Sequence, residues 1–167
     1  EENPDAPNAR LSYPISCVEN AYHERANFDH ANNIFFLTMD AEGKFPGISR
    51  ISGDTVRKFF ETGYTSQMPG TEAGSNEIKK TFSPCYGSPF MPREVKIYTD
   101  MLMEKIYLHG CNVFLVNTGM DNNGNRFPLP YTRDIIKRAI LNEYPLEDNS
   151  ENCMLLLKKT LSGWFYY

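Results

Sequence analysis

Asn112-Val113-Phe114-Leu115-Val116-Asn117 sets four consecutive apolar residues between two asparagines, the length and content of a strand buried on both faces. On its amino side, Val95, Tyr98, Met101, Leu102 and Ile106 recur at helical spacing from Arg93 onward. Pro92 sits where a first-turn proline is tolerated, and His109-Gly110 makes a stop. On its carboxyl side, the turn-rich stretch Thr118 to Asn125 leads to a second helix from about Thr132 to Asn142. An earlier apolar run, Ile34-Phe35-Phe36-Leu37-Thr38-Met39, reads as a central strand that gives way to a loop at Asp40. Strand, helix, strand, loop, helix predicts an α/β fold.

Farther out the pattern is less regular. Leu11 to Val18 alternates well enough to predict a strand, with Pro14 confining it to an edge. Ser52-Gly53-Asp54 offers cap residues ahead of a short amphipathic helix through Val56, Phe59 and Phe60, which Gly63 closes. Thr65 to Pro92 is rich in Gly, Pro, Ser and Thr and reads as a long irregular segment, a length that is usually functional or packed against something else. From Pro145 the periodicity degrades into the polar run Glu147 to Asn152, followed by Met154 to Leu157 and Trp164-Phe165-Tyr166-Tyr167.

The 167 residues, 41% hydrophobic and 13% aromatic, suffice for one globular domain with a core. A formal charge of -4 gives no basic excess to neutralise nucleic-acid phosphates. No run approaches the roughly 18 to 20 apolar residues of a membrane span, and Glu1-Glu2-Asn3-Pro4-Asp5 is the reverse of a basic signal-peptide start. The expected location is cytoplasmic, with a soluble partner or small molecule as ligand, and neither nucleic acid nor membrane. Cys17, Cys85, Cys111 and Cys153 lack the C-x-x-C spacing of a zinc knuckle or redox pair, so buried free thiols are expected.

Self-sufficient catalytic motifs are missing: neither G-x-x-x-x-G-K-[ST], G-x-G-x-x-G, G-x-S-x-G nor H-E-x-x-H occurs. His23 and His30 in a polar stretch and His109 at a helix end read as surface or capping histidines. Asp40, ending a buried strand, is either ligand-facing or a turn former. Arg10, just before the first strand, and Arg126, in a loop between strand and helix, either aim a guanidinium at phosphate or are solvated surface charges. Thr132 near a helix start either caps it or marks amides that hold an anion.

A series of ordered segments changes the balance. Asn8-Ala9-Arg10-Leu11-Ser12-Tyr13-Pro14-Ile15 and Ile34 to Gly43 are followed by Pro46, Ile48-Ser49-Arg50, Gly63-Tyr64-Thr65, Gly70-Thr71-Glu72 and Thr81 to Gly87. Leu115-Val116-Asn117-Thr118-Gly119 and Tyr131-Thr132-Arg133-Asp134-Ile135-Ile136 complete the series. Over about residues 8 to 142 this order resembles the ATP-type phosphoenolpyruvate carboxykinases. The resemblance implies a partial mononucleotide-binding domain of that type, with a mixed sheet and flanking helices, over residues 1–144, and a divergent tail over 145–167.

That family converts oxaloacetate and ATP to phosphoenolpyruvate, ADP and carbon dioxide, a gluconeogenic step, with Mg2+ on the nucleotide and Mn2+ at the substrate. By resemblance, Arg10 matches the catalytic arginine that reaches the transferring phosphate. Arg126 and Phe127 match the pair bordering adenine and ribose, and Thr132 a residue of the same pocket. Phe127 stands where an aliphatic residue is more usual, Glu42 and Lys44 where the loop is usually more apolar, and Pro69 where a small residue is common.

The family's phosphate loop, its metal ligands and its oxaloacetate-binding arginine and tyrosine precede the segment corresponding to Arg10, and none is present here. The expectation is therefore part of a carboxykinase, inactive by itself, with ATP and oxaloacetate as partners of the complete enzyme. Two alternatives stand beside it. One is a truncated, non-catalytic homologue serving as an interaction module, with Trp164 to Tyr167 and Thr65 to Pro92 covering a partner. The other is one half of a split enzyme, completed by a separate chain.

Overall fold

The computed structural model describes residues 12–21, 29–67, 79–143 and 148–162. In chain order they form β1 (Asn33–Thr38), β2 (Ile48–Ile51), α1 (Gly53–Thr62), β3 (Tyr64–Gln67), β4 (Lys79–Phe82), α2 (Val95–His109), β5 (Asn112–Asn117), α3 (Leu129–Ile140) and α4 (Ser150–Ser162). β5 lies between β1 and β2, parallel to the first and antiparallel to the second, which makes the sheet mixed. β3 and β4 form a separate antiparallel pair.

The apolar run of β5 works because successive side chains point to opposite faces and both faces are covered. Val113 and Leu115 join Phe36, Ile51, Val56, Phe59 and Tyr64 on one side of the sheet. Phe114 and Val116 join Ile48 and the α3 residues Ile135 and Ala139 on the other. Val113 through Asn117 are all buried, and truncating a ring as enclosed as Phe114 costs about 3–5 kcal/mol.

α1 begins and ends where its cap residues predict, with Ser52 extended before it and Gly63 left-handed after it. A side chain at Gly63 would overlap the Ser83 carbonyl, so both the backbone sign and the close approach require glycine. Ser52 does not cap through its hydroxyl. That group donates to Asp148 Oδ2 at 2.6 Å, and the Ser52 N–H donates to Ser150 Oγ at 2.8 Å. α2 stops at the left-handed Gly110 as expected.

Four expectations are corrected. Among the described residues β1 is not central: it pairs there with β5 and no second strand, because an apolar run reports burial of the two faces and says nothing of the two edges. Its carboxyl end is flanked by β3 through hydroxyls, with Thr38 Oγ1 donating to the Tyr64 carbonyl at 2.7 Å and Thr65 Oγ1 accepting from the Met39 N–H at 3.2 Å. The strand expected at Leu11 to Val18 is absent from its described part, where Ile15–Cys17 form a 3-10 turn. Pro14 offers no N–H, and residues 12 to 18 are exposed, with no strand pairing to them among the described residues. The segment from Thr65 to Pro92 is not irregular throughout, since the β3–β4 pair and two 3-10 turns at Pro84–Tyr86 and Ser88–Phe90 occupy much of it.

The fourth correction concerns the polar run after Pro145, which leads into α4. Cys153, Leu157 and Thr160 of α4 are fully buried, and the first two belong to the same core cluster as Phe59 and Tyr64. Spacings of four and three residues put them on one helical face. Of the four thiols expected to be buried, Cys85 and Cys153 are, while Cys17 is exposed and Cys111 intermediate. Among the described residues no helix is long and apolar enough to cross a membrane.

Candidate functional site

The parallel strands β1 and β5 end side by side, and ligand sites of α/β sheets lie beyond such carboxyl ends. Here Asp40 follows β1 and Asn117 closes β5, both fully buried. The Asn117 side chain accepts from the N–H of Asp40 at 3.2 Å and of Gly119 at 2.8 Å. Its amide donates to the carbonyls of Phe45 at 2.8 Å and Met120 at 3.0 Å. The Asp40 carboxylate accepts from the N–H groups of Glu42 at 3.0 Å, Lys44 at 2.5 Å and Phe45 at 2.9 Å, and from the Tyr64 hydroxyl at 3.0 Å. Burial first, then the Asp40 charge, pushes the Tyr64 phenol above its ordinary range.

Asp40 is thus a turn former: four donors use its oxygens, and what it does is shape the loop from Ala41 to Gly47. Gly119 lies against it, and any side chain there would overlap the Asp40 backbone. At the rim of this loop Glu42 bridges Lys44 at 2.6 Å and Lys80 at 2.7 Å. Partial burial opposes ionisation of Glu42, but the two ammonium groups hold its carboxyl below the usual range.

Beyond β5 the chain makes a tight excursion and returns. The Asp121 N–H donates to the Asn125 carbonyl at 2.8 Å, and Asp121 Oδ1 accepts from the N–H groups of Asn123 at 2.9 Å and Asn125 at 2.8 Å. Those backbone donors, Asn125 foremost, hold the Asp121 carboxyl below its usual range. The return sets Arg126 opposite Met120, and the Phe127 N–H donates to the Gly119 carbonyl at 2.9 Å. Extended Pro128 then starts α3, whose Ile135 and Ala139 anchor it to the sheet.

A pocket of about 450 Å³ opens at this point, lined by Thr118, Arg126, Phe127, Pro128, Leu129 and Thr132. Arg126, Phe127 and Thr132, singled out in the sequence, therefore share one concavity at the amino end of a helix. Arg126 is exposed and has no salt-bridge partner among the described residues. Thr132 is buried and lies four residues beyond Pro128, the residue at the cap position of α3, so the helix starts ahead of it and the capping reading is removed. Thr118 was missed by sequence reasoning, although its place directly after a buried strand is the signal that would have found it. Arg10 and His23 lie outside the described residues.

A second cleft of about 350 Å³, lined by Gly43, Lys44, Phe45, Pro46, Asp121, Asn122 and Phe127, shares the Phe127 ring. His30 and His109 lie elsewhere, stacked on each other with ring centroids 3.4 Å apart. Among the described residues no three His, Cys, Asp or Glu side chains converge as a metal ion would require. The Mg2+ and Mn2+ of the resemblance thus have no fitting ligand set among those residues.

What the pocket can do follows from its parts. The exposed Arg126 guanidinium and the positive end of α3 attract anionic oxygens, while Phe127, Pro128 and Leu129 offer an apolar wall. That combination suits a ligand with one flat apolar end and one anionic end.

The family model described as phosphoenolpyruvate carboxykinase matches residues 1–155. Among curated proteins, the chain is similar to the phosphoenolpyruvate carboxykinase (ATP) of Thermus thermophilus, 44% identical over 137 residues, which cover 80% of this chain and 26% of that protein. It is 40% identical over 140 residues to phosphoenolpyruvate carboxykinase (ATP) 2 of Moorella thermoacetica and 42% identical over 140 residues to the enzyme of Bacillus cytotoxicus, in both cases over 81% of this chain and 26% of the relative. The chain spans about a quarter of the length of these relatives, and the family match continues past residue 144 into α4. With its α/β architecture, mixed sheet and matched sequence, this chain belongs to the phosphoenolpyruvate carboxykinase (ATP) family.

Proposed function

We propose that the chain supplies one wall of the nucleotide site of an ATP-dependent phosphoenolpyruvate carboxykinase, in a mononucleotide-binding domain of that type. The complete enzyme converts oxaloacetate and ATP to phosphoenolpyruvate, ADP and carbon dioxide in the cytoplasm. The observation that carries this reading is the meeting of Arg126, Phe127 and Thr132 in one pocket at the carboxyl end of β5.

In this reading the apolar side of the pocket takes the base, Thr132 borders it, and Arg126 reaches the ribose or phosphate oxygens with its fork of donors. Arg10 is the proposed catalytic arginine. Its positive charge would stabilise what develops on the transferring phosphoryl group. Phosphoryl transfer depends mostly on positioning and charge stabilisation. A chain without the G-x-x-x-x-G-K-[ST] cradle binds but does not turn over.

Calorimetric titration with ATP tests the binding half. Saturable binding is expected, and Arg126→Ala should weaken it about tenfold to a hundredfold, the equivalent of one charge-assisted hydrogen bond. Absence of saturable binding, or an Arg126→Ala variant that binds as tightly, overturns the assignment. The catalytic half is tested by incubating the chain with ATP and oxaloacetate. ADP formation above a heat-killed control would contradict the expected inactivity.

A further inference from the structure

Phe127 stands between the two clefts, and the side chain that fixes its ring lines neither of them. The Tyr131 ring stacks on Phe127 with centroids 5.1 Å apart and planes 12° apart. The two are four residues apart, and α3 begins between them. The phenol is confined in turn: a methyl group on Gly47 would come within 2.6 Å of the Tyr131 hydroxyl oxygen and 2.9 Å of a ring carbon. The bare α-carbon of Gly47 is therefore the surface on which the phenol lies. Gly47 is tied to the sheet, because its carbonyl accepts the Asn117 N–H at 3.0 Å.

The Phe127 backbone is fixed independently by its bond to Gly119. Main chain and ring are both set before any ligand arrives, and a wall set in advance spares a ligand the entropy of ordering it. From this geometry we infer that Tyr131 is a positioning residue, holding the Phe127 ring as a flat wall for the base of a nucleotide. The inference rests on the nucleotide reading above for the identity of the ligand, while the Gly47–Tyr131–Phe127 stack stands without it. An aliphatic residue at position 127 could not be held this way, since planarity is what the Tyr131 ring grips.

The test compares Tyr131→Ala and Tyr131→Phe with the unaltered chain, using ATP and inorganic tripolyphosphate as probes. Tyr131→Ala should weaken ATP about threefold to tenfold, the value of one aromatic pair, and leave tripolyphosphate within about twofold. Tyr131→Phe, which keeps the ring, should bind both like the parent. Equal losses for the two probes in Tyr131→Ala, or no loss for ATP, overturn the inference. A ligand-free readout accompanies this: the NMR ring signals of Phe127, identified by their disappearance in Phe127→Leu, should lose their ring-current shift in Tyr131→Ala. If the unaltered chain binds neither probe, the nucleotide reading fails. The ring signal then decides the positioning role alone, an unchanged shift refuting it and a lost shift supporting it.

Discussion

Asp40 and Asn117, 77 residues apart in sequence, tie the ends of the two parallel strands together: the Asp40 N–H donates to Asn117 Oδ1 at 3.2 Å, and both side chains are spent on neighbouring backbone. Asn117 satisfies groups in the loops that follow both strands, and Asp40 organises the loop that follows β1.

Asp40→Ala should therefore act through the fold. It strands three N–H groups and the Tyr64 hydroxyl, and a loss on the order of 3 kcal/mol is expected, since hydrogen bonds to charged groups are the stronger kind. Urea unfolding followed by circular dichroism measures it. A midpoint equal to that of the parent would show that the loop holds itself.

Tyr86 presents the opposite case. Its hydroxyl is buried without a hydrogen-bond partner among the described residues, and burial pushes its pKa upward. Removing an unmatched polar group relieves its desolvation cost, so Tyr86→Phe should be neutral or stabilising by about 1 kcal/mol. A lower melting temperature for this variant would reveal a partner for the hydroxyl.

His109 is held below its ordinary value of 6.5, first by lost hydration and then by the charges of His30 and Lys105. With the folded pKa depressed, the unfolded chain binds more protons in the window just below pH 6.5. Stability is retained above that value and declines as the pH falls through the window. Melting temperatures between pH 5 and 8 should show the decline, and His109→Gln should flatten it. A parent-like slope in the variant would assign the effect to other groups.

Thiol labelling should separate the cysteines by burial. Cys17 is exposed and should react with Ellman's reagent at once. Cys85 and Cys153, both buried and pushed upward by that burial, should wait for unfolding. Rapid titration of all four under native conditions would mean that α4 leaves the core.

What was legible in the sequence is what periodicity and caps encode. β5, α1 and α2 follow from Val113–Val116, from Ser52 and Gly63, and from Gly110, because each signal is local. The place of β1 beside β5 and no other described strand was not legible, since pairing depends on which strand arrives beside it. α4 was obscured by the polar residues before it, although Cys153, Leu157 and Thr160 share a face. In the site, Arg126, Phe127 and Thr132 lie within seven residues of one another, so their meeting needed little tertiary information. The Tyr131 stack left only its four-residue spacing as a trace, and the role of Gly47 beneath it is a contact between distant segments that no spacing records.

α4 has a consequence for synthesis. The bond between Ser52 and Ser150 joins residues 98 apart, and Cys153 and Leu157 complete the cover over Val56 and Phe59. On the ribosome the apolar side of α1 is made long before its lid. During that interval the part of the core that Cys153 and Leu157 cover is open to any chaperone or neighbouring nascent chain.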